Sequence, residues 1–258
     1  MEKIIFFGNG PLADYALAVL EKHFEVVFHA RTREDLEKVR EIKAKYPEAH
    51  GILASFGVLI KSDILEIFEP EGILNIHPSL LPLYRGASPI ESAILNGDTE
   101  FSVSIMKLVK AMDAGPIYYQ TTLTGLPLCK NDIYKALAET GAKWLASNLN
   151  SLSKPVLQDD SKATFCGKLD KSMGVLTPET DTAEKTFRKI VAYNVFPKAK
   201  YAFFGVPCII HEAHILKPSE TAVLTIPCAD GALVAVDTLQ PEDRKIMDAK
   251  SFLNGYKR

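Results

Sequence analysis

The segment Gly72–Gly86 reads GILNIHPSLLPLYRG and joins a short apolar run to a stiff loop. Its first six residues are apolar except for two polar side chains near the end, and such a run predicts a buried β-strand. Pro78 ends the strand because proline cannot donate a hydrogen bond to a neighbouring strand. The loop Ser79–Gly86 follows, stiffened by Pro78 and Pro82. The flanking sequence indicates what this strand pairs with.

Apolar strands alternate with amphipathic helices on both sides of this segment. Besides Gly72–His77, the predicted strands are Lys3–Phe7, Glu25–Ala30, Gly51–Phe56, Phe101–Leu108 and Ile117–Thr124. The predicted helices are Leu12–Glu21, Arg33–Lys45, Ser62–Phe68, Ser88–Leu95 and Asn131–Leu149. This alternation is typical of right-handed βαβ units. We therefore expect an α/β, Rossmann-like domain with a mainly parallel sheet and helices on both faces.

A different pattern begins after the polar stretch Asn150–Thr164, which has the composition of a linker. The helix Asp181–Asn194 is followed by short strands with turn residues between them, which is typical of a small β-barrel. These strands are Tyr201–Phe204, Cys208–Leu216, Ala222–Ile226 and Ala232–Leu239. The expected organisation is a catalytic domain at 1–153, a linker at 154–166 and a C-terminal, OB-like β-barrel domain at 167–258.

The bulk composition narrows the function classes. Of 258 residues, 47% are hydrophobic, and the net charge is −2, so no global basic field favours nucleic acid or an anionic membrane. The four cysteines form no CxxC pair, which argues against zinc and against a disulfide framework. No apolar run approaches the ~20 residues that span a bilayer. We expect a cytoplasmic monomer without membrane contact and without a metal.

The first strand leads into Gly8-Asn9-Gly10-Pro11-Leu12-Ala13, which fits the dinucleotide fingerprint G-x-G-x-x-A. Arg31 and Arg33, after the second strand, could then hold a 2′-phosphate. Two features favour a purely structural turn instead. Any tight strand-to-helix turn selects glycine, and Pro11 removes a backbone N–H that would hold a pyrophosphate.

Two polar side chains stand together at the end of the Gly72–His77 strand. Asn75 and His77 are two residues apart, so they project from the same face, at the edge where open α/β sheets bind ligands. Asp113 lies in a turn between two later strands. A carboxylate near an imidazole favours its charged form and fixes its tautomer.

The string NIHPSLLPLYRGASPI, residues 75–90, resembles the signature N-x-H-x-S-L-L-P-x-x-x-G of the formyltransferases that use 10-formyltetrahydrofolate. Asp113 in MDAGPI matches the D-x-G segment of that family. Lys168–Lys171 resembles its K-[IL]-x-K segment, and Phe187–Pro197 resembles the helix that opens its C-terminal domain. The resemblance covers nearly the full length of the chain.

The resemblance implies attack of an amine on the formyl group of 10-formyltetrahydrofolate. Our hypothesis is that Asn75 donates to the developing oxyanion. Protonated His77 stabilises that charge and shuttles protons, and Asp113 orients or charges His77. The family resemblance also implies a set of folate-binding residues: Ser79, Leu80, Leu81, Pro82, Phe56, Gly57 and Val58.

The C-terminal matches indicate the branch of the family that formylates initiator methionyl-tRNA and releases tetrahydrofolate. The residues expected to bind tRNA are Arg31, Arg33, Lys168, Lys171 and Arg188. Members of that branch carry a long basic insertion after the second strand, where this chain has a short charged helix. Two alternatives stay open: an N-formyltransferase acting on a sugar nucleotide or other small amine, and a non-catalytic module that binds a dinucleotide or RNA.

Overall fold

The structure is a computed structural model that describes residues 1–256. The described chain divides into two compact units. Unit 1 comprises Met1–Ile90 and Thr99–Gly167, and unit 2 comprises Glu91–Asp98 and the chain from Lys168 onward. None of the helices within residues 1–256 is both long enough and apolar enough to cross a membrane.

Unit 1 is built on a six-stranded sheet. Its strands and those of a small separate pair are β1 (Glu2–Gly8), β2 (Phe24–Ala30), β3 (His50–Ala54), β4 (Ile73–His77), β5 (Arg85–Gly86), β6 (Phe101–Lys107), β7 (Ile117–Leu123) and β8 (Phe165–Cys166). The strand order of the sheet is β2-β1-β3-β4-β6-β7. β6 is antiparallel to both of its neighbours, and the other strands run in one direction. The prediction of a mainly parallel sheet is confirmed.

Helices cover both faces of this sheet. They are α1 (Pro11–Leu20), α2 (Asp35–Lys45), α3 (Ser62–Leu65) and α5 (Lys130–Asn148). The remaining helix of this stretch, α4 (Pro89–Asn96), lies mostly in unit 2. Phe7 and Ile73 face a core that α2 and α3 complete through Val39 and Ile64. On the opposite face α5 approaches so closely that a side chain at Gly141 would meet Ile76. Asn75 and His77 alternate with Ile76, so they share the face of Ile73.

The glycines after β1 are explained by backbone geometry. A Cβ atom at Gly8 would lie 2.5 Å from the carbonyl oxygen of Ala54, so a side chain has no room there. Gly10 has φ +88°, a conformation that L-residues rarely adopt. Pro11 then occupies the first turn of α1. The structural turn therefore accounts for the G-x-G pattern without a bound dinucleotide.

Unit 2 combines a small antiparallel sheet with most of α4 and with two further helices in its described residues. Its elements are α6 (Ala183–Ala192), β9 (Ala199–Phe203), β10 (Val206–Ile215), β11 (Thr225–Pro227), β12 (Leu233–Pro241), β13 (Met247–Asp248) and α7 (Ala249–Tyr256). The order is β11-β12-β10-β9, with β13 paired to β12. Register shifts near Glu212 bend β10. Within the described residues the sheet forms a curled half-barrel, which confirms the predicted β domain but leaves the barrel open.

Several elements were missed by the sequence analysis. The two-residue strands β5 and β8 carry no periodic pattern, and their paired residues lie 80 positions apart in the sequence. No helix is predicted from the sequence at α7 (Ala249–Tyr256). α7 is short, but Phe252 is fully buried and stacks on Tyr256 with ring centroids 4.7 Å apart. Tertiary packing, rather than local propensity, therefore accounts for α7.

Candidate active site

The carboxyl end of β4 brings two of the predicted catalytic residues to one place. Asn75 and His77 are 5% and 4% exposed. Their neighbours in the sheet are fixed by register, with Asn75 opposite Met106 and His77 opposite Ser104 of β6. The Asn75 amide nitrogen points to the Met106 sulfur at 3.8 Å. A thioether is a weak acceptor, so this amide can exchange its contact for a stronger acceptor.

The His77 ring contacts two oxygens of opposite character. Its Nε2 lies 3.1 Å from the carbonyl oxygen of Tyr84. A carbonyl can only accept, so Nε2 carries a hydrogen and donates it. Nδ1 lies 3.8 Å from Oδ1 of Asp113. In this orientation Nδ1 is the ring nitrogen that faces the carboxylate.

Asp113 is held in the turn between β6 and β7. Its φ of 47° is unusual for a residue with a side chain, and its side chain is 13% exposed. Oδ2 accepts a hydrogen bond of 2.8 Å from the backbone N–H of Gly86. Gly86 must be glycine, because its φ is 128° and a Cβ atom would lie 2.0 Å from the Cys166 carbonyl oxygen. The structure thus brings Asn75, His77 and Asp113 together, as the sequence predicts.

The loop that begins at Ser79 is held by side chains of β6 and β7, which form hydrogen bonds with its backbone. The Ser104 hydroxyl donates to the Ser79 carbonyl oxygen at 2.6 Å and accepts from the Leu81 N–H at 3.2 Å. Gln120 donates to the Leu81 carbonyl at 2.8 Å and to the Ser104 hydroxyl at 2.9 Å. Leu81 is buried, whereas Leu80 is 41% exposed. These hydrogen bonds hold the backbone of the loop in place, and the Leu80 side chain remains accessible.

The other residues predicted to bind folate differ in their surroundings. Phe56 is buried and packs edge-on against Phe7 with ring centroids 5.8 Å apart, so its ring belongs to the core. Val58 packs against the same core. Gly57 has φ 67° and borders open space. Contact between folate and any of these three residues stays a prediction.

The predicted tRNA-binding residues are divided between the two units. Arg31 and Arg33 are exposed in unit 1, and Lys168 and Lys171 are exposed in unit 2. Arg188 is different, because its Nε and Nη2 lie 2.9 and 2.8 Å from the Glu184 carboxylate. A side chain at Gly97 would collide with the same guanidinium. Arg188 therefore already has a packed and paired position within unit 2.

Sequence reasoning missed the polar groups that support these loops. Ser104 offered a signal, since Ser102 and Ser104 place two hydroxyls at alternate positions among the apolar residues of Phe101–Met106. Gln120 and Gln158 offered none, because their partners lie far away in the sequence. Among the described residues, no cluster of three or more His, Cys, Asp or Glu side chains could hold a metal ion.

The fold and the arrangement of these side chains agree with the comparison to known families. Residues 12–149 match the formyl transferase family, and residues 168–257 match the formyl transferase C-terminal domain. The chain therefore belongs to the formyl transferase family. The family resemblance of the NIHPSLLP string is confirmed.

One relative and two solved structures show which members of the family this chain resembles. The methionyl-tRNA formyltransferase of Roseiflexus sp. (strain RS-1) is 34% identical over 246 residues, which cover 90% of this chain and 75% of the relative. HypX from Aquifex aeolicus, in complex with tetrahydrofolic acid, aligns with a TM-score of 0.75 at 18% identity, covering 100% of this chain and 48% of HypX. The sugar 3N-formyl transferase WlaRD aligns with a TM-score of 0.66 at 16% identity, covering 95% and 99% of the two chains.

Proposed function

We propose that this protein transfers the formyl group of 10-formyltetrahydrofolate to the amino group of methionyl-tRNA and releases tetrahydrofolate. The observation that carries the proposal is the grouping of Asn75, His77 and Asp113 beside the loop Ser79–Pro82, in a chain of the formyl transferase family. The 34% identity to a methionyl-tRNA formyltransferase supports the choice of acceptor.

Formyl transfer requires one bond to form and one to break. The amino nitrogen attacks the formyl carbon, and the carbonyl oxygen becomes an oxyanion in a tetrahedral intermediate. The Asn75 amide, which has only a weak sulfur acceptor at 3.8 Å to give up, donates to this oxyanion. The bond between the formyl carbon and N10 then breaks.

Two proton movements accompany these steps. The attacking nitrogen loses a proton, and the leaving N10 gains one. His77 has the geometry for this exchange at Nδ1, since Nε2 is engaged with Tyr84. The Asp113 carboxylate lies 3.8 Å from Nδ1 and is proposed to orient the ring during this exchange. None of these roles requires a metal ion.

The folate is proposed to lie against the loop Ser79–Pro82. The Ser79 side chain donates to the Leu83 carbonyl at 2.6 Å, which curls the loop on itself. Half-exposed Leu80 offers an apolar surface for the rings, and backbone groups offer hydrogen bonds. HypX and WlaRD, whose structures contain tetrahydrofolate or 5-N-formyl-THF, support folate as the class of co-substrate.

Recognition of the tRNA is proposed for exposed basic residues of both units. Arg31 and Arg33 follow β2, and Lys168 and Lys171 lead into unit 2, which we propose as the tRNA-binding domain at 167–258. Arg188 is expected to contribute less, because binding a phosphate would compete with its pairing to Glu184. The cytoplasmic location and the monomeric state are part of this proposal.

A sugar-nucleotide amine is the second candidate acceptor. The likeness to WlaRD over nearly the full length of both chains favours it, as does the short helix α2 in place of a basic insertion. The two acceptors differ in charge, so the salt dependence of binding separates them. Binding of tRNA releases many counterions and weakens steeply with salt, whereas a small sugar nucleotide releases few.

One assay compares the candidates directly. The purified protein is given 10-formyltetrahydrofolate with initiator methionyl-tRNA, with elongator methionyl-tRNA, or with a dTDP-linked 3-amino sugar. We expect formylation of methionyl-tRNA with a KM that rises steeply between low and moderate salt. Formylation of the amino sugar with no transfer to either tRNA would replace the proposed acceptor by the second candidate.

A further inference from the structure

We propose that Gln158 is a positioning residue that holds the Asp113 turn against the segment Tyr84–Gly86 and so fixes Asp113 relative to His77. Gln158 lies in the polar segment predicted as a linker and does not touch the reacting atoms. The inference rests on the proposed function for its catalytic meaning, but the geometry can be tested separately.

The side-chain amide of Gln158 uses its full hydrogen-bonding capacity. Its nitrogen donates to the carbonyl oxygens of Asp113 at 2.8 Å and Gly115 at 2.7 Å. Its oxygen accepts from Nε and Nη2 of Arg85 at 3.0 and 2.7 Å. An amide has two donors and two acceptor sites. Each of them is therefore occupied, and together they join two loops.

Arg85 makes this connection relevant to the catalytic pair. It is 4% exposed, and its Nη2 also pairs with the Asp160 carboxylate at 2.6 Å. The residue before it, Tyr84, accepts from Nε2 of His77, and the residue after it, Gly86, donates to the Asp113 carboxylate. The three residues Tyr84–Gly86 thus contact both members of the pair. Gln158 fixes this tripeptide to the Asp113 backbone from the other side.

The segment around Gln158 is anchored without its side chain. Val156 exchanges two backbone hydrogen bonds of 2.8 Å with Ile117. The Thr164 hydroxyl accepts from the Tyr84 N–H at 2.8 Å, and β8 pairs with β5. Replacing the Gln158 side chain should therefore leave the segment in place and loosen only the contacts of that side chain, which are those to the Asp113 turn and to Arg85.

The test uses two variants of the full chain. Gln158→Met keeps the approximate length and volume of the side chain and removes all four of its hydrogen bonds. In Gln158→Glu the acceptor for Arg85 is kept, but a carboxylate cannot donate to the Asp113 and Gly115 carbonyls. We expect kcat to fall roughly tenfold to hundredfold in both, as small misplacements of catalytic groups do. KM for both substrates should stay close to the wild-type value.

A double-mutant comparison separates positioning from a general structural effect. If Gln158 acts through Asp113, adding Gln158→Met to Asp113→Asn should cause no further fall in kcat, because the two changes disrupt one unit. Additive losses would overturn the proposal, as would wild-type kcat in Gln158→Glu. Lys162→Met is the matched control in the same segment. Its ammonium is exposed and pairs with Asp159 at 3.4 Å, so activity should be unchanged.

A second readout does not depend on the acceptor. The ring ¹H–¹³C resonance of His77, assigned by its loss in His77→Ala, should shift in Gln158→Met and stay unchanged in Lys162→Met. If the wild type formylates no methionyl-tRNA, the proposed acceptor is refuted. The His77 resonance would still test whether Gln158 positions the catalytic pair. An unchanged His77 resonance in Gln158→Met would overturn the positioning role.

Discussion

Ser104 and Gln120 hold the Ser79–Pro82 loop by hydrogen bonds to its backbone. The loss of stability on removing the Ser104 hydroxyl can be calculated from these contacts. Ser104→Ala removes one hydroxyl that donates to the Ser79 carbonyl and accepts from the Leu81 N–H. Ser104 is fully buried, so water cannot replace the lost partner. Two loop backbone groups lose this partner, and buried unsatisfied groups cost ~1–3 kcal/mol each, so the free energy of unfolding should fall by roughly 2–6 kcal/mol.

Ser102→Ala is the matched control on the same strand and the same face. The Ser102 hydroxyl pairs with the Thr122 hydroxyl at 2.9 Å, and Thr122 is exposed. Water can serve Thr122 after the substitution, so the expected loss is that of one ordinary hydrogen bond, ~0.5–1.5 kcal/mol. Only Ser104 supports the loop, and only Ser104→Ala should raise the KM for 10-formyltetrahydrofolate. If reordering the loop costs about 1–2 kcal/mol, that increase is roughly five- to thirtyfold.

The assay combines urea unfolding with steady-state kinetics. Trp144 is the single tryptophan of the sequence and stacks on Tyr119 at 5.0 Å in unit 1, so its fluorescence reports the unit that contains the Ser79–Pro82 loop. The reasoning is refuted if Ser104→Ala costs no more stability than Ser102→Ala and leaves the KM for the folate unchanged.

Two further predictions concern charge and catalysis. Burial raises the pKa of Asp181, but hydrogen bonds from Lys185, Lys189 and Thr177 outweigh it and lower the pKa to about 2. The resulting stability, about 1–2 kcal/mol once screening at exposed Lys185 is allowed for, is present above pH ~4 and lost as the pH falls toward 2. Asp181→Asn should therefore speed hydrogen exchange in α6 at pH 7, with the difference from wild type shrinking below pH 4. Asn75→Ala should lower kcat by ~10²–10³ at an unchanged thermal midpoint, and wild-type turnover would remove its proposed oxyanion role.

The sheet of unit 1 could be predicted because its signals are local. Each strand is an apolar run of strand length, and each covering helix has its own 3.6-residue pattern. α2 is an example, since Leu36, Val39 and Ile42 recur at helical spacing in the sequence and all three pack in the core described for that face. The pair β5–β8 could not be predicted, because two residues carry no period and their partners lie 80 residues away in the sequence. Strand β13 was missed because it too has only two residues, although its partners in β12 are close in sequence.

The candidate site was predictable to the extent that it lies on a strand. Period-2 alternation places Asn75 and His77 on one face, whatever the rest of the fold. Asp113 lies 36 residues beyond His77, and the family resemblance, not spacing, indicated that the two meet. Gln158 lay beyond both kinds of reasoning. A polar composition predicts that a segment lacks a core, but it does not reveal where its polar groups find partners.

The site residues on the strand and the site residue in the turn differ in their sensitivity to substitutions nearby. Asn75 and His77 stand on β4, which is hydrogen-bonded to a strand on each side, so their backbone is fixed by the sheet. Asp113 stands in a turn at φ 47°, an unfavourable conformation that surrounding contacts must maintain. Those contacts come from Gly86 and Gln158. The positions of Asn75 and His77 are therefore fixed by the hydrogen bonds of the sheet, whereas the position of Asp113 depends on a few hydrogen bonds that involve side chains. Substitutions in the segment around Gln158 should therefore lower kcat before they lower stability.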